Sequence, residues 1–169
     1  MFDTCVLGVD PGVARMGLAC VARADRRPVL LWSETVRTPA GMDEAERLSI
    51  LAAAVRQAIA DHGPGSVALE RVAFNRNVVS ALQVARATGA IMVVAAEAGL
   101  TVGEYAPTEV KNAITGMGNA DKAQVRDALV RIHGLKAVPE QPDAADAVAI
   151  ALTHLTGARL RSIAGLAAR

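Results

Sequence analysis

Aromatic side chains are nearly missing from this chain: among 169 residues there are two Phe, one Trp and one Tyr. A hydrophobic core must therefore be built from Val, Leu, Ile and Ala. Cysteine is equally scarce. Cys5 and Cys20 both lie in apolar runs and read as buried free thiols rather than as a disulfide. An excess of one charge is also lacking, since 18 Lys and Arg face 17 Asp and Glu for a net charge of +1. That balance argues against a strong overall basic footprint, but net charge averages over faces. Between Arg71 and Ala96 the three arginines Arg71, Arg76 and Arg86 meet no acid, so a local basic surface is expected there. No long hydrophobic run is present: Ala87 to Ala96 falls short of the ~20 residues a bilayer span needs. Asp3 near the start and the absence of a basic leader leave no secretory signal. These absences together predict a soluble, cytoplasmic chain without a membrane partner.

The residues that are present define an ordered domain. Hydrophobic residues make up 52% and charged residues 21%, which excludes disorder. A chain of this length makes one domain, able to bury roughly 70% of the surface its unfolded form exposes. Folding then needs no disulfide or metal staple.

Hydrophobic periodicity predicts the element order. Cys5 to Val9 is a short buried strand stopped by Asp10-Pro11-Gly12. Gly17 to Ala22 and Pro28 to Val36 follow as strands across short turns, in an antiparallel meander. Leu48, Leu51, Val55 and Ile59 have helical spacing within Asp43 to His62, and Gly63-Pro64-Gly65 ends that helix. Val67-Ala68-Leu69 is a brief strand ending at Glu70. Val78 to Ala98 is a long helix, Thr101 to Tyr105 a strand, and Pro107 opens a further helix. Gly116-Met117-Gly118 is a loop, there to let backbone approach a ligand or to cap and turn the chain. Ala120 to His133 is helical, and Pro142-Asp143 opens a last helix that runs to about Leu155. Residues 1–156 are expected to form the domain, with 157–169 a basic, flexible tail. The class is α/β, a mixed sheet covered by helices.

Four carboxylates sit where chemistry is expected. Asp10 and Glu70 end two strands, and ligands of α/β sheets bind beyond strand carboxyl ends. Asp143 and Asp146, three apart in the first turn of the last helix, share one helical face. Each has an ordinary alternative: Asp10 as a turn residue, Glu70 as a solvated strand end, Asp143 as an N-cap, Asp146 as an acid favoured by the helix dipole. Gathered together, they would repel one another unless a cation were bound. Hard oxygen donors suit Mg²⁺ or Mn²⁺, and a pair of such ions ~3.5–4 Å apart can clamp both oxygens of a phosphodiester displacement.

GVDPG from Gly8 to Gly12, followed by Gly17, resembles the first motif of the RuvC-type Holliday junction resolvases. ALERVAFNRN, Ala68 to Asn77, resembles their second acidic motif, and DAADAVAIALTH, Asp143 to His154, their last. PTEVKNAITGMGNADKAQV, Pro107 to Val125, is similar to the segment carrying two family lysines. The matches keep family order and cover nearly the whole chain. The resemblance implies a ribonuclease H-like five-stranded mixed sheet flanked by helices. It implies a homodimer that makes paired, symmetric, Mg²⁺-dependent nicks in four-way DNA junctions, with two ions per site and 5′-phosphate and 3′-hydroxyl ends. A branch-migration complex of RuvA and RuvB is the partner it suggests.

Residue by residue, the resemblance assigns catalysis and metal binding to Asp10, Glu70, Asp143 and Asp146, and phosphate contacts to Lys111 and Lys122. Some members carry histidine where this chain has Asp143. Many carry an aromatic wedge three positions after the glutamate. That position is Ala73 here, and Phe74 next to it either takes over stacking on junction bases or packs under its own loop. Arg71, Arg76 and Arg86 are further candidate DNA contacts, and His154 is read as structural. Small residues at Ala81, Ala85, Ala87 and Gly89 suit close packing of their helix on the sheet or on a partner helix. Three other readings compete: a YqgF-type nuclease of the same fold acting on RNA, a junction-binding module with a dead site, and a fragment of a sugar-kinase or actin-like ATPase. The intact acids oppose the second. The short single lobe and the missing phosphate loop oppose the third.

Overall fold

The computed structural model describes residues 5–25, 27–72 and 78–167, with side chains described as far as Gly157. Five strands and five helices follow one another: β1 Cys5–Asp10, β2 Arg15–Ala24, β3 Arg27–Arg37, α1 Glu44–His62, β4 Ser66–Glu70, α2 Val78–Glu97, β5 Thr101–Tyr105, α3 Pro107–Thr115, α4 Lys122–Arg131 and α5 Pro142–Ala167. The sheet order is β3-β2-β1-β4-β5. β1 to β3 form the expected antiparallel meander, while β4 and β5 join in parallel.

Strand alternation divides the core into two layers. Leu7, Val9, Leu18, Cys20, Val67 and Leu69 point to one face and pack with α1 and α2. Val6, Ala19, Val21 and Ala68 point to the other and pack with α3, α4 and α5. The second face is built from small residues, so α5 lies unusually close to the sheet. A Cβ on Gly8 would stand 2.1 Å from the Ala147 carbonyl oxygen, and one on Gly17 would stand 1.9 Å from that of Asp143. Only glycine lets the first two turns of α5 rest on β1 and β2.

Local chemistry sets the helix ends. The Asp43 carboxylate accepts from the Ala45 N–H at 2.9 Å and starts α1. Asp121 and Gln124 cap each other reciprocally, so α4 begins at Lys122 rather than at Ala120. α5 continues past Leu155 to Ala167. Nothing between Leu155 and Ala167 is a proline, and Leu, Ala and Arg sustain a helix there. α2 is long and apolar enough by length and composition to cross a bilayer. One side of it is core, however, with Ala81, Ala87, Thr88, Ile91, Val94 and Ala95 buried. Cys5 and Cys20 are both free thiols, the first half-buried and the second buried.

Candidate active site

The register explains why the two strand-end acids meet. Val9 pairs with Leu69 across β1 and β4, so Asp10 and Glu70 follow at the same level on strands ~4.8 Å apart. Both continue the α5-facing alternation of Gly8 and Ala68. On the other side Asp10 pairs with Gly17, the residue on which the Asp143 backbone rests. The close seat of α5 therefore carries Asp143 and Asp146 to the rim where Asp10 and Glu70 end. A hollow of about 310 Å³ is lined by Asp10, Glu70 and Asp146 together with Lys111 and Lys122. All four acids and both lysines thus gather at one end of the sheet.

The electrostatics are those of a crowded anionic site. Burial, reinforced by the charges of Glu70, Asp146 and Asp143, pushes the Asp10 carboxyl up to about 7. Burial and the Asp146 charge also raise Glu70, and Lys122 and Lys111 oppose that rise. Lys122 Nζ donates to Asp146 Oδ2 at 2.7 Å, and this bond holds the ammonium above its ordinary value against partial burial. Asp143 Oδ2 lies 3.6 Å from Arg15 Nε. Each acid of α5 thus faces a cation from a different element.

Among the described residues no three carboxylate, imidazole or thiol groups are already closed around one metal position. The donor chemistry nevertheless fits a hard divalent cation, with four oxygen donors, an Asp10 whose carboxyl burial and mutual repulsion raise to about 7, and a lysine ammonium as counter-ion on Asp146. A cation held by these acids would compete with Lys122 for Asp146.

The other candidates are dispersed. Arg71 extends from the end of β4 toward the start of α3. Its guanidinium donates to the Glu104 carbonyl at 3.3 Å and lies 3.8 Å from Glu109 Oε2. Arg86 on α2 is paired with Glu44 of α1. Phe74 and Arg76, with Ala73, lie outside the described residues. His154 packs well below the rim, against Ser66 Oγ at 3.2 Å and the Tyr105 hydroxyl at 3.0 Å. Gly103 leaves the space for its ring. Gly116 takes a left-handed conformation that ends α3, so it serves there as a helix cap. Arg15 escaped the sequence reading, although two-residue alternation from Gly17 puts it on the same face of β2.

An antiparallel β1–β3 meander extended by parallel strands, with acids at the central strand ends and on a helix docked across them, defines a ribonuclease H-like nuclease. The family model for "Crossover junction endodeoxyribonuclease RuvC" matches residues 6–154. A relative of that name from Nocardia farcinica is 47% identical over 150 residues, 88% of this chain and 79% of its own. The structure of Thermus thermophilus RuvC in complex with Holliday junction substrate superposes with a TM-score of 0.85 at 39% identity, covering 93% of this chain and 96% of that one. The yeast mitochondrial Holliday junction resolvase Ydc2 shares the fold at a TM-score of 0.63 and 13% identity, over 88% of this chain and 76% of that one. The chain belongs to the crossover junction endodeoxyribonuclease RuvC family, whose members are nucleases acting on phosphodiester bonds of DNA.

Proposed function

We propose that this chain resolves four-way DNA junctions by paired symmetric nicks, in recombination and repair. The observation that carries the reading is the meeting of Asp10 and Glu70, at adjacent parallel strand ends, with Asp143 and Asp146 on the first two turns of α5. Asp10, Glu70, Asp143 and Asp146 would hold Mg²⁺, with Mn²⁺ as a substitute and two ions per site. When bound, such ions supply an activated water and neutralise charge on the phosphodiester.

The protein's own groups do the rest. Asp10, central and most buried, orients the reacting centre. Lys122 leaves Asp146 and, with Lys111, faces the phosphates of the bound strand. Arg71 adds a contact from the β5 side if it exchanges Glu109 for phosphate. A homodimer would align two such sites for two cuts. The exposed stripe Val78, Leu82, Gly89 and Val93 on α2 supports it, because among the described residues nothing covers that face. Residues 1–156 would form the nuclease domain. The basic segment 157–169 follows it, helical as far as Ala167. RuvA and RuvB are the proposed branch-migration partners and the cytoplasm the proposed location.

The substrate is tested by offering a four-way DNA junction, a linear DNA duplex of the same sequence and a structured RNA, each with Mg²⁺. Preferential paired nicking of the junction supports the reading. Preferential cleavage of RNA refutes it and favours the YqgF alternative.

A further inference from the structure

On the far side of Asp143 from the lysines lies a second hollow of about 290 Å³, floored by Gly12, Val13 and Ala14 and walled by Arg15, Arg47 and Gln83. Asp143 borders it, and the same Asp143 acts by its charge on Asp10 in the first hollow. A strand laid across the four acids must leave over one bank as it enters over the other. The lysines serve one bank, and the sequence motifs say nothing of the second.

Arg15 edges that hollow, and its cross-strand partner Arg37 stands next to it on β3. Arg15 of β2 pairs directly with Arg37 of β3, and both are exposed. Met16 and Val36 between them and the rest of the sheet turn to the α1–α2 core, so both arginines face the α5 side. Cross-strand neighbours have Cβ atoms ~4.5–5.5 Å apart, and like charges in that position are unfavourable. Arg15 has Asp143 at 3.6 Å with 58% of its own side chain exposed, a long and loosely held contact. Among the described residues Arg37 has no ion pair. An anion between the two guanidiniums would relieve the repulsion.

The loop that presents them is clamped from beneath. The buried Thr38 hydroxyl donates to the Val13 carbonyl at 2.6 Å and accepts from Arg47 Nε at 2.8 Å. The Thr38 N–H donates to the Ala14 carbonyl at 3.2 Å. The chain between Asp10 and Arg15 is therefore fixed to the end of β3, and Arg15 and Arg37 keep their spacing.

We propose that Arg15 and Arg37 form a phosphate-binding fork for the DNA strand as it leaves the active site, opposite Lys111 and Lys122. The ligand class is the DNA backbone phosphate, read without regard to base. The inference rests on the junction-nuclease reading and deepens it. When the strand binds, Arg15 exchanges the Asp143 carboxylate for a phosphate oxygen, leaving that carboxylate to the reaction.

The test is junction affinity measured over a range of salt concentration, in chelator so that no strand is cut. The native chain, Arg15→Gln, Arg37→Gln and Arg15→Lys are compared, with thermal melts to check folding. Each phosphate contact contributes ~0.9 to the slope of log K against log salt. Each Gln variant is expected to lower the slope by about 1 on every junction sequence, and Arg15→Lys to restore it. Arg37→Gln is the cleaner arm, because Arg37 touches no carboxylate of the site. Native binding with unchanged slopes in both Gln variants refutes the fork alone, even if cleavage slows. A native chain that binds no junction refutes the nuclease reading and the fork with it.

Discussion

Replacing Gly17 with Ala adds one methyl group at the point where α5 touches the sheet. The new Cβ would stand 1.9 Å from the Asp143 carbonyl oxygen and 2.3 Å from its carbonyl carbon, where real Cβ contacts stay beyond 3.0 Å. Both atoms are backbone, so no side-chain rotation relieves the clash. The start of α5 must lift by roughly 1 Å. Overpacking of this kind costs about 1–3 kcal/mol. For a chain of this size each kcal/mol lowers the melting temperature by about 2–4 °C. The catalytic cost is expected to be larger, because a misplacement of ~1 Å at a reacting centre costs on the order of 100-fold in rate. Thermal melts and single-turnover junction cleavage read the two effects separately. Gly103→Ala is the control: its Cβ would meet the His154 ring at 2.6 Å, a side chain far below the rim. Gly17→Ala with native stability and native cleavage would refute the argument that glycine seats the acidic helix.

Three further outcomes are expected. Asp10 keeps its proton up to about 7 in the folded chain but releases it near 3.8 when unfolded, so stability in chelator falls as pH rises from about 4 to about 7, by at most about 4 kcal/mol. Asp10→Asn reduces that fall to the part that Glu70 contributes and melts above the native chain at alkaline pH, whereas a native melting point that is flat across the window would contradict the burial argument. Lys122→Met strips the cation from Asp146 and is expected to slow cleavage by about tenfold or more, equivalent to ~1.4 kcal/mol in the transition state; native rates would remove Lys122 from the machinery. Thr38→Val keeps the shape but leaves the Val13 carbonyl without its buried donor, at a cost of about 1–3 kcal/mol read by melting.

Much of this arrangement is legible in the chain because it is local. Period-two alternation marks the strands, and Asp10 and Glu70 announce themselves by ending two of them. The three-residue spacing of Asp143 and Asp146 gives one helical face without any structure. Two further features follow from local chemistry alone. Asp121 with Gln124 is a capping pair that moves the start of α4, and Arg15 follows from the alternation that places Gly17. Other features depend on distant contacts. Gly8, Gly17 and Gly103 are visible as glycines, but what each accommodates depends on where α5 docks. Arg71 and Arg86 look like free cations in the sequence, yet the fold brings Glu109 and Glu44 to them. The end of α5 lies beyond the expected Leu155, because Gly157 interrupts the helical pattern in the sequence without stopping the helix.

The most direct test of the central claim is cleavage of a labelled four-way junction by the native chain and by Asp10→Asn, each with Mg²⁺, with Mn²⁺ and with chelator. The account predicts paired symmetric nicks by the native chain with either metal, none in chelator, and none by Asp10→Asn despite retained junction binding. Cleavage that survives in chelator or in Asp10→Asn would contradict it.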